Sequence, residues 1–220
     1  MKLHLRNLIL TAVVLGGLHV AAGPTVPSVG SDEALHRLKS GNERFAQCKV
    51  STGKPVAARR AQTAKDQHPF AIILGCSDSR TAPEIIFDQS IGDIFVIRNA
   101  GNLVDDHALG SIEYAIEHLG VRLVVVLGHE RCGAVTAALA GDTAPGHVQA
   151  LVRDIQPAVQ AVKGKPGDQV QLAVAENARL MAEEIRTKAN FGDIAKDVKI
   201  ISAVYDLDSG KVDWEVTRDQ

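Results

Sequence analysis

The amino-acid sequence predicts an α/β fold. One domain is built on a central, mainly parallel β-sheet of about four parallel strands plus an antiparallel edge strand, flanked by helices, with an N-terminal helical arm. Three observations carry this expectation. Runs rich in Val, Ile and Leu lie at 70–75, 93–98, 121–128 and 198–205, and unbroken apolar runs of that length suit strands buried on both faces. Helical patterns separate the later runs, as crossover helices separate the strands of a parallel sheet. After the last run, "DLDSGKVDWEV" joins an Asp-Ser-Gly turn to an alternating stretch, the pattern of a strand that doubles back.

Taken in order, residues 1–22 read as an export signal peptide. "MKLHLRN" is a short basic start, "LILTAVVLGGLHV" an apolar core, and the small residues that follow allow cleavage after Ala22. The apolar run is shorter than the roughly 20 residues that span a bilayer, so no stable membrane anchor is expected once the leader is removed; an uncleaved anchor is the alternative. The expected destination is a bacterial periplasm. Residues 23–30 form a spacer, and 31–220 the folded domain. Ser31 and Asp32 are candidate helix caps, with Leu35, Leu38 and Phe45 on one helical face. "KVSTGKP" breaks that helix, and a polar helical stretch runs on to Gln67. Further helices are expected at 106–119, 132–140, 147–162, where Pro157 marks a kink or a boundary, and 168–189.

Of the 220 residues, 45% are hydrophobic and 23% charged, a balance that allows a sizeable core in one domain. Removal of 1–22 takes Lys2 and Arg6 from the 24 basic residues, leaving 22 against 26 acidic ones and a net charge of −4. That argues against a nucleic-acid footprint or a polybasic membrane patch. Small molecules or another copy of the chain are the expected partners.

Two apolar strands end in related chemistry. The first runs into Gly75-Cys76-Ser77-Asp78-Ser79-Arg80, the third into Gly128-His129-Glu130-Arg131-Cys132-Gly133. In an open parallel sheet, ligands gather beyond the carboxyl ends of the strands, so both segments arrive at one edge. Two thiolates and an imidazole suit Zn²⁺, and three protein ligands leave a fourth position open, as in working rather than structural zinc sites. Cys76, His129 and Cys132 are therefore the expected metal ligands. A Cys76–Cys132 disulfide, as in a redox dithiol protein, is the competing reading of an exported chain with three cysteines. Cys48 has no evident partner and is read as incidental. "GDIFVIRNAGN" lacks the Gly-x-Gly-x-x-Gly spacing of a dinucleotide site. Arg98 and Asn99 are expected to brace the loops below the metal, and Glu113 and Tyr114 to sit on a helix near the site. Gly75, Gly101, Gly128 and Gly133 are read as backbone requirements.

"CSDSRTAPEIIFDQSIGDIFVIRNAGN" followed by "GSIEYAIEHLGVRLVVVLGHERCGAV" resembles the β-class carbonic anhydrases; "EALHRLKSGNERF" and "AVYDLDSGKV" extend the likeness over roughly 32 to 215. The resemblance implies reversible hydration of CO₂ to bicarbonate and a proton, one zinc per chain, and a homodimer or higher homo-oligomer with clefts at subunit boundaries. It implies a metal-bound hydroxide oriented by Asp78, whose carboxylate Arg80 holds in a bidentate pair, and it makes Asp78 a conditional fourth ligand. The Gly133 backbone N–H carries over as a substrate contact. Two features depart from family patterns. Ile73 stands where members that close under bicarbonate control carry a tryptophan, although Tyr205 remains available nearby, and "GNLVDDHALGSIEY" is too short for the glutamine-bearing segment of plant-like members. His107 and His118 are proton-shuttle candidates by type only. A carbonyl sulfide or carbon disulfide hydrolase on the same scaffold, and a non-catalytic zinc-binding protein, are the alternatives.

Overall fold

The computed structural model of the chain describes residues 29–51, 56–141 and 143–214. The signal-peptide reading and most of the 23–30 spacer lie outside the described residues. Among the described residues no helix is long and apolar enough to cross a membrane.

The sheet forms from the strands expected. β1 (Ala71–Cys76), β2 (Ile94–Asn99), β3 (Leu123–His129) and β4 (Lys199–Tyr205) are parallel, and β5 (Val212–Trp214) returns antiparallel along β4. Their order across the sheet is β2-β1-β3-β4-β5. Every residue of β1 and β3 is buried, which is why those two runs carry no polar alternation. From β1 the chain steps to β2 on one side, then crosses back to β3 on the other. The connections after β1 and β3 thus leave in opposite directions, and a crevice opens where they part.

Side-chain alternation along β1 and β3 divides the core. Ile72, Leu74, Val124 and Val126 face the larger helical layer: α4 (Asp106–Leu119), α5 (Gly133–Ala140), α6 (Val148–Val162) and α7 (Gln169–Lys188). Ala71, Ile73, Leu123, Val125 and Leu127 face the other side, where α1 (Ser31–Ala46) and the one-turn α3 (Pro83–Ile86) cover the sheet. α2 (Val56–Thr63) has no buried residue, so the polar stretch that suggested a helix to Gln67 forms two turns of exposed helix and stops. A 3₁₀ segment, Gly192–Asp197, leads into β4.

Several local expectations are corrected. The α1 N-cap is Gly30, not Ser31 or Asp32: Gly30 O accepts from Ala34 N at 2.9 Å, leaving Asp32 in the first turn to pair with Lys199 at 3.0 Å. Pro157 lies inside α6 and does not bound it. α3 was not anticipated, being too short to show a helical period. By contrast α4 begins at an Asp105 cap whose carboxylate accepts from Ala108 N at 2.7 Å and ends at left-handed Gly120, as its spacing requires.

Two of the four glycines singled out are backbone requirements. Gly101 has φ +81°, and a Cβ on Gly128 would stand 3.1 Å from Val174 of α7. A Cβ on Gly75 would meet nothing closer than 3.9 Å, and one on Gly133 nothing within 4 Å, so steric need does not explain either.

Candidate metal centre

The crevice between the ends of β1 and β3 gathers the two motifs. Cys76 is the last residue of β1, His129 the last of β3, and Cys132 the N-cap of α5. Their donor atoms all lie within 4.8 Å of one another, and all three residues are buried. All three cysteines of the chain are free thiols, Cys48 exposed and the other two buried.

His129 is 1% exposed. Its Nδ1 lies 2.9 Å from the Glu130 carbonyl, which accepts only a hydrogen, so Nδ1 carries the proton and Nε2 keeps its lone pair. That Nε2 is buried and has no hydrogen-bond partner among the described residues. A bare lone pair facing two sulfurs is costly in a dry interior unless a cation takes it. The donor set matches zinc, whose bonds run ~2.0–2.3 Å to nitrogen and sulfur. The residues present therefore fit the metal that the sequence implied.

The two buried thiols push each other's acidity in opposite directions. Hydrogen bonding from Cys132 draws the Cys76 thiol down from its ordinary 9.0 to about 4, with the amides of Gly101 and Asp78 helping and burial opposing. Cys132 is pushed the other way, first by Cys76 and then by burial, against amides at the start of α5. The Asp78 and Gly101 N–H groups each reach Cys76 Sγ at 3.4 Å. Because the folded-state pKa of Cys76 is depressed, its thiolate stabilises the fold fully above its unfolded value. That stabilisation drains away as pH falls from 9.0 towards about 4. Above 9.0 the raised Cys132 acts with opposite sign. Metal-free protein is therefore expected to melt several degrees higher at pH 8 than at pH 6, a rise that Cys76→Ser abolishes when both are followed by thermal denaturation.

Asp78 stands beside the cluster, its Oδ2 3.9 Å from His129 Nε2. Both of its oxygens are held by Arg80: Nε donates to Oδ1 at 2.9 Å and Nη2 to Oδ2 at 2.7 Å, with the Arg80 N–H on Oδ1 at 3.0 Å. The Arg80 guanidinium thus keeps the Asp78 carboxyl well below the usual carboxylate range. In this arrangement Asp78 is the neighbour of the donor cluster and Arg80's partner, not a member of the cluster.

The brace expected from β2 is present. Register places Arg98 beside Gly75, where its Nε donates to Cys76 O at 2.8 Å and its Nη2 to Asp78 O at 2.7 Å. Asn99 closes the next loop on both backbone groups of Leu103. Thr81, Asn177 and the Arg131–Asp208 pair were not foreseen. Thr81 Oγ1 donates to Asp78 O at 2.9 Å, and Arg131 binds Asp208 through two donors at 2.8 and 2.9 Å, tying the β3 loop to the β4–β5 turn. Only Asn177 left a trace in the sequence, as a polar residue on the apolar stripe of α7. Gly133 opens α5 with clear space where a side chain would be. His107 and His118 lie on the exposed surface of α4, and Glu113 there accepts from Asn190 N at 2.7 Å. Ile73 is fully buried against the α1 layer, and Tyr205, 5% exposed, lies in that same layer.

With this geometry in hand, comparisons place the chain among known proteins. The family model for carbonic anhydrase matches residues 71–212. Carbonic anhydrase 2 of Mycobacterium tuberculosis is 47% identical over 138 residues, spanning 61% of this chain and 67% of that protein. The carbonic anhydrase of Mycolicibacterium smegmatis is 35% identical over 195 residues, 86% of this chain and 95% of the relative. Among solved structures, the β-carbonic anhydrase CcaA superposes with a TM-score of 0.66 at 23% identity over 84% of this chain and 93% of its own. A tetrameric β-carbonic anhydrase from Sordaria macrospora gives 0.64 at 24% identity over 82% and 95%. At those identities the superpositions speak to the fold.

Proposed function

The chain belongs to the β-carbonic anhydrase family, and from that premise we propose that it catalyses the reversible hydration of CO₂ to bicarbonate and a proton on a zinc held by Cys76, His129 and Cys132. The observation that carries the reading is the buried, unpartnered Nε2 of His129 facing two sulfurs, with an ionised carboxylate alongside. When bound, the metal supplies Lewis acidity that makes a water nucleophilic near neutral pH, less strongly than with three imidazoles because two thiolates offset its charge.

The protein's own groups do the rest. Asp78 accepts a hydrogen bond from the attacking water and so turns a lone pair towards the CO₂ carbon. Arg80 keeps that carboxylate ionised and fixed in one rotamer. Arg98 holds the backbone carbonyls of Cys76 and Asp78, so thiolate and carboxylate keep their spacing. The Gly133 N–H, at the start of α5, would meet a substrate oxygen. Both Asp78 oxygens on Arg80 favour a site with its fourth position free, and Asp78 would become a fourth ligand only if that pair broke.

We further propose export to a periplasm, on the strength of the leader-like residues 1–22. A homo-oligomer is proposed because β2 is a sheet edge carrying half-buried Phe95, Val96 and Ile97, and an apolar edge invites pairing. The test of the central reading is metal analysis of protein purified without chelators, joined to stopped-flow CO₂ hydration from pH 6 to 9 with and without bicarbonate. About one zinc per chain and activity climbing with pH are expected. Active protein free of metal would overturn it, as would sulfide release from carbonyl sulfide outrunning CO₂ hydration.

A further inference from the structure

The loop after β2 reaches the metal centre from behind, and α7 holds that loop. Gly101 is the link. Its N–H donates to Cys76 Sγ at 3.4 Å, while its carbonyl accepts from Asn177 Nδ2 at 2.9 Å. One helical turn further along α7, Met181 Sδ accepts from the Val104 N–H at 3.3 Å. The same helix face therefore grips the loop on both sides of its turn.

Asn177 is out of keeping with its surroundings. It is 1% exposed, and Ala173, Val174, Ala178 and Met181 share its side of the helix. Its Oδ1 is buried without a partner among the described residues. An apolar side chain of similar volume would fill the place without stranding a polar atom. The hydrogen bond that Asn177 does make goes to the residue whose N–H faces a metal-ligand sulfur. Gly101 has no side chain to fix its own orientation: it is left-handed, and a Cβ there would stand 3.0 Å from Ile155, so the loop needs an outside partner to hold it.

We infer that Asn177 is a positioning residue for the metal centre: by holding the Gly101 carbonyl it aims the Gly101 N–H at Cys76 Sγ and so sets the orientation and donor strength of that sulfur. An N–H bond to a thiolate withdraws charge from it, and outer groups of this kind govern both metal affinity and the acidity the metal retains. This inference rests on the zinc reading above.

The test uses full-length Asn177→Leu, with Asn177→Ala should leucine fail to fold, and Ile185→Val as a control for loosening α7 away from the loop. Three readouts apply: zinc affinity by chelator competition, the sulfur-to-metal charge-transfer band of the Co²⁺ form, and amide hydrogen exchange at Gly101 in metal-free protein. The Asn177 variants are expected to bind zinc about tenfold more weakly, to move the charge-transfer band to longer wavelength and to lose protection at Gly101. Ile185→Val should leave all three unchanged. Wild-type protein that binds zinc while the Asn177 variants match it in every readout overturns the inference alone. Equal changes in Ile185→Val overturn it as well, since the role would then be general packing. Wild-type protein that takes up no zinc overturns the metal reading itself.

Discussion

Cys132→Ser is expected to leave a folded protein that holds only traces of zinc and hydrates CO₂ on the order of 10³-fold more slowly, or worse. Serine is a good test because Cys132 occupies the N-cap of α5, and serine is among the residues that cap helices best. Local structure is therefore supported while the soft donor is lost. A hydroxyl in its place stays protonated and ligates zinc poorly, which leaves one sulfur and one imidazole to hold the ion. The nucleophile would then come from water that ionises far above neutrality. Zinc content by elemental analysis and turnover by stopped flow check this together, with circular dichroism confirming the fold. A variant with full zinc and wild-type turnover would remove Cys132 from the centre and leave the proposed ligand set untenable.

Asp78→Asn is the second large effect, and it separates binding from chemistry. The carboxamide keeps the carboxylate's shape, so the ligands Cys76, His129 and Cys132 stay in place and zinc content should not change. What disappears is an ionised acceptor. The carboxamide would present an N–H₂ group where a hydrogen bond must be accepted, and the attacking water would lose its orientation. A positioned group in this kind of role contributes about 10²–10⁴-fold, and a fall on the order of 10²-fold in kcat/KM is expected. Stability should barely move, because the Arg80 side chain is half exposed and solvent screens pairs of that kind. The pH profile adds a check. Arg80 holds the Asp78 carboxyl far below neutrality, so its charge persists from pH 6 to 9, and the activity change across that range belongs to another group. Turnover unchanged in Asp78→Asn at equal zinc content would make Asp78–Arg80 a turn-stabilising ion pair and nothing more.

The strands were legible because each is a short apolar run ended by glycine or a charged residue, and a parallel sheet buries such runs on both faces. The donor cluster was legible for the same reason: Cys76 and His129 stand where those runs stop, at the end of the sheet where loops meet. The Asp78–Arg80 pair could be anticipated because two residues of spacing is a local matter, and the hydrogen bonds that realise it stay within one turn. The Ser31 or Asp32 cap was misplaced, and Pro157 was left between kink and boundary, because helix ends depend on how the neighbouring elements pack, which local pattern does not record.

Residue order alone specified which chemistry the chain carries: two thiols, an imidazole and a guanidinium-bound carboxylate, gathered in two short segments where buried strands end. That these segments meet is a matter of tertiary structure, because strand order sets β1 beside β3 and no local periodicity encodes which strands pair. So is the tuning of the groups. Arg98 fixes two carbonyls from 20 and 22 residues away, and Asn177 reaches Gly101 across 76. Hydrogen bonds between residues so far apart in the chain exist only after the core has formed. Residue type is local, whereas donor geometry is a property of packing.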